Sequence, residues 1–116
     1  MHTENELKEV LNDFVAGTKE IFGERPINVI LFGSYARGNF DDESDVDIAI
    51  LVDIPREEEG KYTDDLVALM SRVDQKHGYA VLLSPILLSN SFFEEWRETI
   101  PFYRTVKNEG VRLLAG

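Results

Sequence analysis

Two aspartates spaced two residues apart, Asp45 and Asp47, have the types and spacing for metal chemistry. They begin an apolar, β-branched run that ends at Val52, which predicts a strand from about Asp45 to Val52. Alternate side chains of a strand point to the same face, so the two carboxylates should lie side by side. Because like charges at that spacing repel each other, we expect a divalent cation, Mg²⁺, to bind between them.

A Gly-Ser pair, Gly33 and Ser34, follows an earlier apolar run over 27–32. Glycine permits a tight turn and lets a phosphate approach the backbone, and Ser34 adds a hydroxyl donor. If a short helix begins at Tyr35, its free N–H groups would point at the same anion, and Arg37 offers a charge-assisted contact to phosphate. Together with Asp45 and Asp47, these residues predict a site for nucleotidyl transfer from a nucleoside triphosphate.

Each of these features also has a purely structural explanation. Gly-Ser turns are ordinary, and the Asp-x-Asp pattern occurs in many acidic loops. The two together at a fixed spacing, each at the end of a predicted strand, favour the functional interpretation. The neighbouring acids Asp41, Asp42 and Glu43 are interpreted as a solvated loop.

The elements that must position this site follow from periodicity and from helix and strand end signals. In chain order we predict a helix over 4–22 with a Thr3/Glu6 capping box, strands over 27–32 and 45–52, a charged loop over 56–62, a helix from Thr63 to Lys76-His77-Gly78, a strand over 79–88, a short helix capped by Ser89 or Ser91 and ending at Trp96, and a helix from Pro101 to Gly110. Pro85 lies inside the third strand, so that strand is expected to be an edge strand or to end near Ser84.

This order predicts an α+β fold. The first two strands are expected to be antiparallel neighbours, and the helix between the second and third strands allows a crossover. A small mixed β-sheet with helices packed on one face is the simplest arrangement. A length of 116 residues suits one domain, 1–116.

Composition excludes several classes of protein. The formal net charge of −10 argues against a protein that binds nucleic acid through its phosphates. The charge also favours a basic protein partner, although a solvated acidic surface is the commoner reason for such a value. No apolar run approaches the ~20 residues of a membrane span, and the acidic N-terminus is not a signal peptide. With no cysteine, there are no disulfides or thiolate zinc sites, which fits a cytoplasmic protein. His77 is interpreted as a helix-end residue rather than a catalytic base.

The stretch Gly33-Ser34, ten intervening residues, then Asp45-Val46-Asp47 resembles the signature of the DNA polymerase β-type nucleotidyltransferase superfamily. The forms Gly-Ser-Tyr-Ala-Arg-Gly and Ser-Asp-Val-Asp-Ile, in a chain of this length, resemble its minimal nucleotidyltransferase (MNT) branch. This resemblance implies a polymerase β-type core, Mg²⁺ and a nucleoside triphosphate, usually ATP. Family members of this size are often antitoxins encoded beside a HEPN-domain ribonuclease toxin, and some transfer AMP onto a tyrosine of that toxin.

Carried over by position, the resemblance assigns triphosphate binding to Gly33 and Ser34, and metal binding and catalysis to Asp45 and Asp47. Arg37 falls within the matching motif. The sequence departs from the superfamily at the third carboxylate, which a later strand commonly supplies, because 79–85 contains no acid. Four explanations are open. Another residue takes the place of this carboxylate, a partner protein supplies it, the attacking hydroxyl is activated less strongly, or the protein binds nucleotide and transfers poorly.

Two functions follow as hypotheses. The first is a Mg²⁺-dependent transferase that moves AMP from ATP to a hydroxyl acceptor, a tyrosine of a HEPN toxin. The alternative is a weakly catalytic or non-catalytic acidic antitoxin that acts by stoichiometric binding. A small transferase acting on an antibiotic or metabolite ranks below both, because the chain lacks room for an extra substrate domain. A homo-oligomer is compatible with either hypothesis.

Overall fold

A four-stranded mixed sheet is the framework of the fold in the computed structural model, which describes residues 4–38 and 45–115. The strands, in chain order, are β1 (Ile27–Phe32), β2 (Val46–Val52), β3 (Leu83–Ser89) and β4 (Val111–Ala115). Their order across the sheet is β3-β2-β1-β4, so β2 and β1 are the two central strands.

The strand pairings match the predicted topology. β1 and β2 are antiparallel, and β2 and β3 are parallel, with the crossover made by a long helix. The register places Phe32 opposite Asp47 on one side and Ser84 opposite Asp47 on the other. These three residues therefore form one row across the sheet, at the end where β1 finishes and where β2 and β3 begin.

The helices, in chain order, are α1 (Glu4–Phe22), α2 (Ser34–Arg37), α3 (Thr63–Lys76), α4 (Asn90–Trp96) and α5 (Pro101–Glu109), with a 3₁₀ helix over Arg56–Tyr62. The predicted positions of α1, α4 and α5 are confirmed. Ser89 caps α4 by accepting a hydrogen bond from the Phe92 N–H, and Pro101 begins α5.

The core has two parts, one on each face of the sheet. On one face, alternate residues of β1 and β2, such as Val29 and Ile48, pack with Phe14 of α1 and Leu69 of α3. On the other face, the intervening residues, among them Ile30 and Ala49, pack with α4 and α5 through residues such as Phe93 and Tyr103.

The mixed sheet with packed helices is thus confirmed, but the helices cover both faces rather than one. The reason is visible in β2, which is apolar at every position over 48–52 instead of alternating with polar residues. Such a continuous apolar run is typical of a strand that is buried on both faces.

The third strand begins later than predicted and does not end near Ser84. β3 begins at Leu83 rather than Tyr79 and continues through Pro85 to Ser89. Its predicted place at an edge of the sheet is confirmed. Proline is tolerated because alternate residues of a parallel strand turn their backbone groups away from the neighbour. The Val46 N–H donates to the Leu82 carbonyl at 2.9 Å, which puts Pro85 at an outward position.

Other differences are local. β4 was not predicted, because five residues after a helix give a weak pattern. The charged loop over 56–62 forms a 3₁₀ helix. α3 begins at Thr63 as predicted, and the residue at its N-cap position is Tyr62. The proposed capping residue Thr3 lies outside the described residues. Among the described residues, no helix is both long enough and apolar enough to cross a membrane.

Candidate active site

Gly33 connects β1 to α2 and lies directly against the carboxylate of Asp47. Its backbone has φ 76° and ψ −153°, a region that is essentially restricted to glycine. A Cβ at this position would overlap Asp47 Oδ2 and lie 3.2 Å from its Cγ. The turn therefore needs glycine both for its conformation and for the space that the carboxylate occupies.

Asp45 and Asp47 lie at the start of β2, where Asp45 is exposed and Asp47 is partly buried. Burial raises the pKa of Asp47, and the negative charge of Asp45 raises this pKa further, while Arg37 acts in the opposite direction. The two carboxylates are thus close enough to repel each other, as their spacing predicts. Carboxylate oxygens are the donors that Mg²⁺ prefers, so this pair fits a hard divalent cation.

Ser34 and Arg37 are the first and last residues of α2. Ser34 is partly buried, and Arg37 is exposed. The Arg37 N–H donates to the Gly33 carbonyl at 3.1 Å, so the expectation that this N–H is free for an anion is wrong. What Arg37 offers to a phosphate is its guanidinium group.

The guanidinium of Arg37 has a partner that sequence reasoning missed. Its Nη1 atom lies 2.9 Å from Oε2 of Glu109, at the end of α5, and both side chains are about 40% exposed (43% and 38%). The positive charge of Arg37 also acts to lower the pKa of Asp47. No sequence signal points to Glu109, because the pair is separated by 72 positions.

The carboxylates in this region are a pair rather than a triad. Within 4–38 and 45–115, no group of three or more His, Asp or Glu side chains could hold a metal ion. On β3, the residue opposite Asp47 is Ser84, whose side chain shares a face of the sheet with the carboxylate. The loop acids Asp41, Asp42 and Glu43 lie outside the described residues.

His77 follows the last residue of α3, as predicted for a helix-end residue. Its Nε2 atom lies 2.6 Å from Oδ2 of Asp13 on α1, and Lys76 lies 3.0 Å from the same oxygen. Hydrogen bonds from His77 and then from Lys76 lower the pKa of Asp13. This cluster joins α1 to α3 on the face of the sheet opposite to Asp47.

A mixed sheet with a Gly-Ser turn against paired carboxylates is the arrangement that the resemblance to nucleotidyltransferases predicts. The chain belongs to this family, because the family model for the nucleotidyltransferase domain matches residues 11–108. The resemblance drawn from the sequence is confirmed, and the protein is a nucleotidyltransferase.

Two similar proteins come from Methanocaldococcus jannaschii. "Putative protein adenylyltransferase MJ0141" is 38% identical over 95 residues, which cover 78% of this chain and 91% of that protein. "Putative protein adenylyltransferase MJ0604" is 34% identical over 103 residues, which cover 89% of this chain and 93% of that protein. This chain therefore matches nearly the whole length of both relatives.

A solved structure with the same fold is that of a toxin-antitoxin with AMP-PNP. It superposes with a TM-score of 0.50 at 17% identity, and the superposition covers 99% of this chain and 75% of the other. At this identity the similarity supports the fold.

Proposed function

We propose that this protein is a Mg²⁺-dependent adenylyltransferase that moves AMP from ATP to a hydroxyl group of a partner protein. The observation that carries the proposal is the contact of the Asp47 carboxylate with Gly33, with Asp45 beside it. This contact brings the predicted metal ligands and the predicted triphosphate turn together. The names of the two archaeal relatives support AMP as the group transferred and a protein as the acceptor.

In this proposal Gly33 and Ser34 bind the triphosphate, and the Arg37 guanidinium contacts a phosphate oxygen. Asp45 and Asp47 hold Mg²⁺, which when bound neutralises triphosphate charge and orients the phosphate for in-line attack. The acceptor oxygen forms a bond to the α-phosphorus, the bond from this phosphorus to the bridging oxygen breaks, and pyrophosphate leaves. The hydroxyl proton passes to solvent or to a base on the acceptor protein.

We further propose that the partner is a HEPN-type toxin, that the acceptor is one of its tyrosines, and that the protein acts as its antitoxin in the cytoplasm. The toxin-antitoxin structure that shares this fold supports the role. The net charge of −10 favours a basic partner. The chain is proposed to act as a single domain, 1–116.

Transfer of label from α-³²P-ATP to the protein encoded by the adjacent reading frame tests the catalytic proposal. We expect the Asp45→Asn/Asp47→Asn double variant to lose more than about 100-fold in rate, because the carboxylates provide the metal site. Asp53→Asn is the matched control, since Asp53 is an exposed acid roughly 20 Å from Asp47, just past the other end of the same strand. Equal transfer by the native protein and the double variant would refute the proposal.

A stoichiometric antitoxin is the second candidate. The observation that favours it is the pair of carboxylates, which lacks a third acid among the described residues. On this alternative, the double variant still neutralises the toxin when the two are co-expressed. Growth rescue by the native protein but not by a folded, toxin-bound double variant would exclude it.

A further inference from the structure

An apolar groove runs between α3 and the edge strand β3. Val67 and Met70 line it from the helix, and Pro85 and Ile86 line it from the strand. Two of these side chains are well exposed for their size, Val67 at 50% and Ile86 at 37%. The groove is therefore an apolar surface with no covering element among the described residues.

The backbone of β3 along this groove is poorly suited to pair with an added strand. Leu83, Pro85, Leu87 and Ser89 occupy the positions whose backbone groups face away from β2. Pro85 has no N–H, and Glu59 Oε2 accepts the Ser89 N–H at 2.7 Å.

Leu83 and Leu87 are thus the outward positions on β3 whose N–H groups are left available. A β-strand ligand is bound mainly through main-chain hydrogen bonds, so it would find half of the outward donors of this edge. An amphipathic helix requires only an apolar groove that accepts its side chains. The groove is suited to a helix.

The segments beside the groove are acidic, and Glu59 is the acid among them that lines it. The 3₁₀ helix and the first turn of α3, which border it, carry five acids, namely Glu57, Glu58, Glu59, Asp64 and Asp65. Both bases of this segment are engaged. Lys61 pairs with Glu58 at 3.0 Å, and the guanidinium of Arg56 lies 4.1 Å from the centre of the Phe92 ring. A partner with basic residues beside its apolar stripe would match these acidic segments.

We propose that this groove docks a basic amphipathic helix of a partner protein. Asp47 and Ser84 lie on the face of the sheet opposite to α3, so a helix in the groove is separate from the two-aspartate site. The inference rests on the proposed function only in making the docked protein the acceptor. Binding itself does not require Asp45 or Asp47.

The probe is a synthetic helical peptide of Leu and Lys, with Leu at i, i+3, i+4 and i+7. Amide shift perturbation in ¹⁵N NMR should map its binding to α3 and β3. We expect Val67→Lys and Ile86→Lys each to weaken binding about tenfold, because each places a like charge in the apolar contact. Val111→Lys is the matched control, because Val111 is 48% exposed on β4, at the opposite edge of the sheet.

Two further arms separate the contributions to binding. A Leu/Glu peptide of the same pattern should not bind, because its charges repel the acidic segments. The Asp45→Asn/Asp47→Asn variant should bind the Leu/Lys peptide like the native protein, so loss of transfer and loss of docking are distinguishable.

Four outcomes would overturn the inference. Equal weakening by Val111→Lys, or equal binding of a scrambled Leu/Lys peptide, would show attraction by net charge alone. Protection of the Leu87 N–H from hydrogen exchange by the peptide would indicate an added strand. Sedimentation that shows a dimer lost in Val67→Lys would identify a second copy of this chain as the occupant.

Discussion

Glycine is required at position 33 for two separate reasons, the conformation of the backbone and the space beside it. The backbone lies in a region essentially restricted to glycine, and a methyl group would displace the Asp47 carboxylate. We expect Gly33→Ala to lose about 2–4 kcal/mol of unfolding free energy, from strain and overpacking together. Urea denaturation measures the loss, and transfer activity should fall with it because Asp47 moves.

Gly38→Ala is the matched control for this prediction. Gly38 also has a positive φ, 80° with ψ 11°, but within 4–38 and 45–115 no atom other than those of its chain neighbours lies within 4 Å of the position that its Cβ would take. It should lose about 1 kcal/mol, the cost of a left-handed alanine. If the two variants were equally destabilised, contact with Asp47 would not contribute.

Asp47 is expected to decrease the stability of the fold at neutral pH. Burial and Asp45 raise its pKa, so the folded protein binds this proton more tightly than the unfolded chain does. The contribution of Asp47 to stability therefore falls as pH rises from the usual aspartate pKa through the raised one. Asp47→Asn should be more stable than the native protein at pH 7, and urea denaturation between pH 7 and pH 4 should show the difference shrinking. A constant difference across this range would contradict the prediction.

At the contact between α1 and α3, the contribution of Asp13 to stability has the opposite pH dependence to that of Asp47. Hydrogen bonds from His77 and Lys76 lower the pKa of Asp13, so it stabilises the contact of α1 with α3 above the usual aspartate pKa. This contribution is lost as pH falls through the lowered value. Asp13→Asn should lose about 1 kcal/mol at pH 7, as for a partly exposed pair, and nothing below both pKa values. Thermal unfolding across this pH range provides the measurement, and a loss that persists in acid would point to packing instead.

The elements with strong local patterns were predictable from the sequence. The amphipathic period of α1, the Pro101 start of α5 and the apolar run of β2 each specify their own element. β4 and the full extent of β3 were not, because both depend on pairing with a distant strand that contributes no local signal. Helices on both faces of the sheet could have been predicted from β2, because an unbroken apolar run indicates a strand that is buried on both sides.

For the candidate site, the sequence predicted that Asp45 and Asp47 lie close together, because a strand has a fixed period. Contacts between residues that are distant in the sequence could not be predicted from it. The approach of Gly33 to Asp47 depends on the antiparallel register of β1 and β2. The pairing of Arg37 with Glu109 depends on where α5 packs. The functional roles of Gly33, Ser34, Arg37, Asp45 and Asp47 stay predictions.

Over the whole molecule, acidic residues outnumber basic ones. The chain has 22 acids against 12 bases, so self-repulsion should lower its stability at low ionic strength, and added salt should raise its Tm. Screening by any salt acts on all of these charges, whereas a bound divalent cation acts at Asp45 and Asp47. The two effects can therefore be separated.

The last prediction compares MgCl₂ with NaCl at equal ionic strength. In the native protein MgCl₂ should raise Tm further than NaCl, because a ligand that binds only the folded state adds about 2.7 kcal/mol at 100 times its Kd. In Asp45→Asn/Asp47→Asn the two salts should act alike. The control variant Asp53→Asn/Asp64→Asn also removes two negative charges, but at exposed positions away from the site. It should keep the larger response of Tm to MgCl₂ than to NaCl. If the double variant at 45 and 47 also kept that larger response, Mg²⁺ would be binding to the acidic surface and not between the two aspartates.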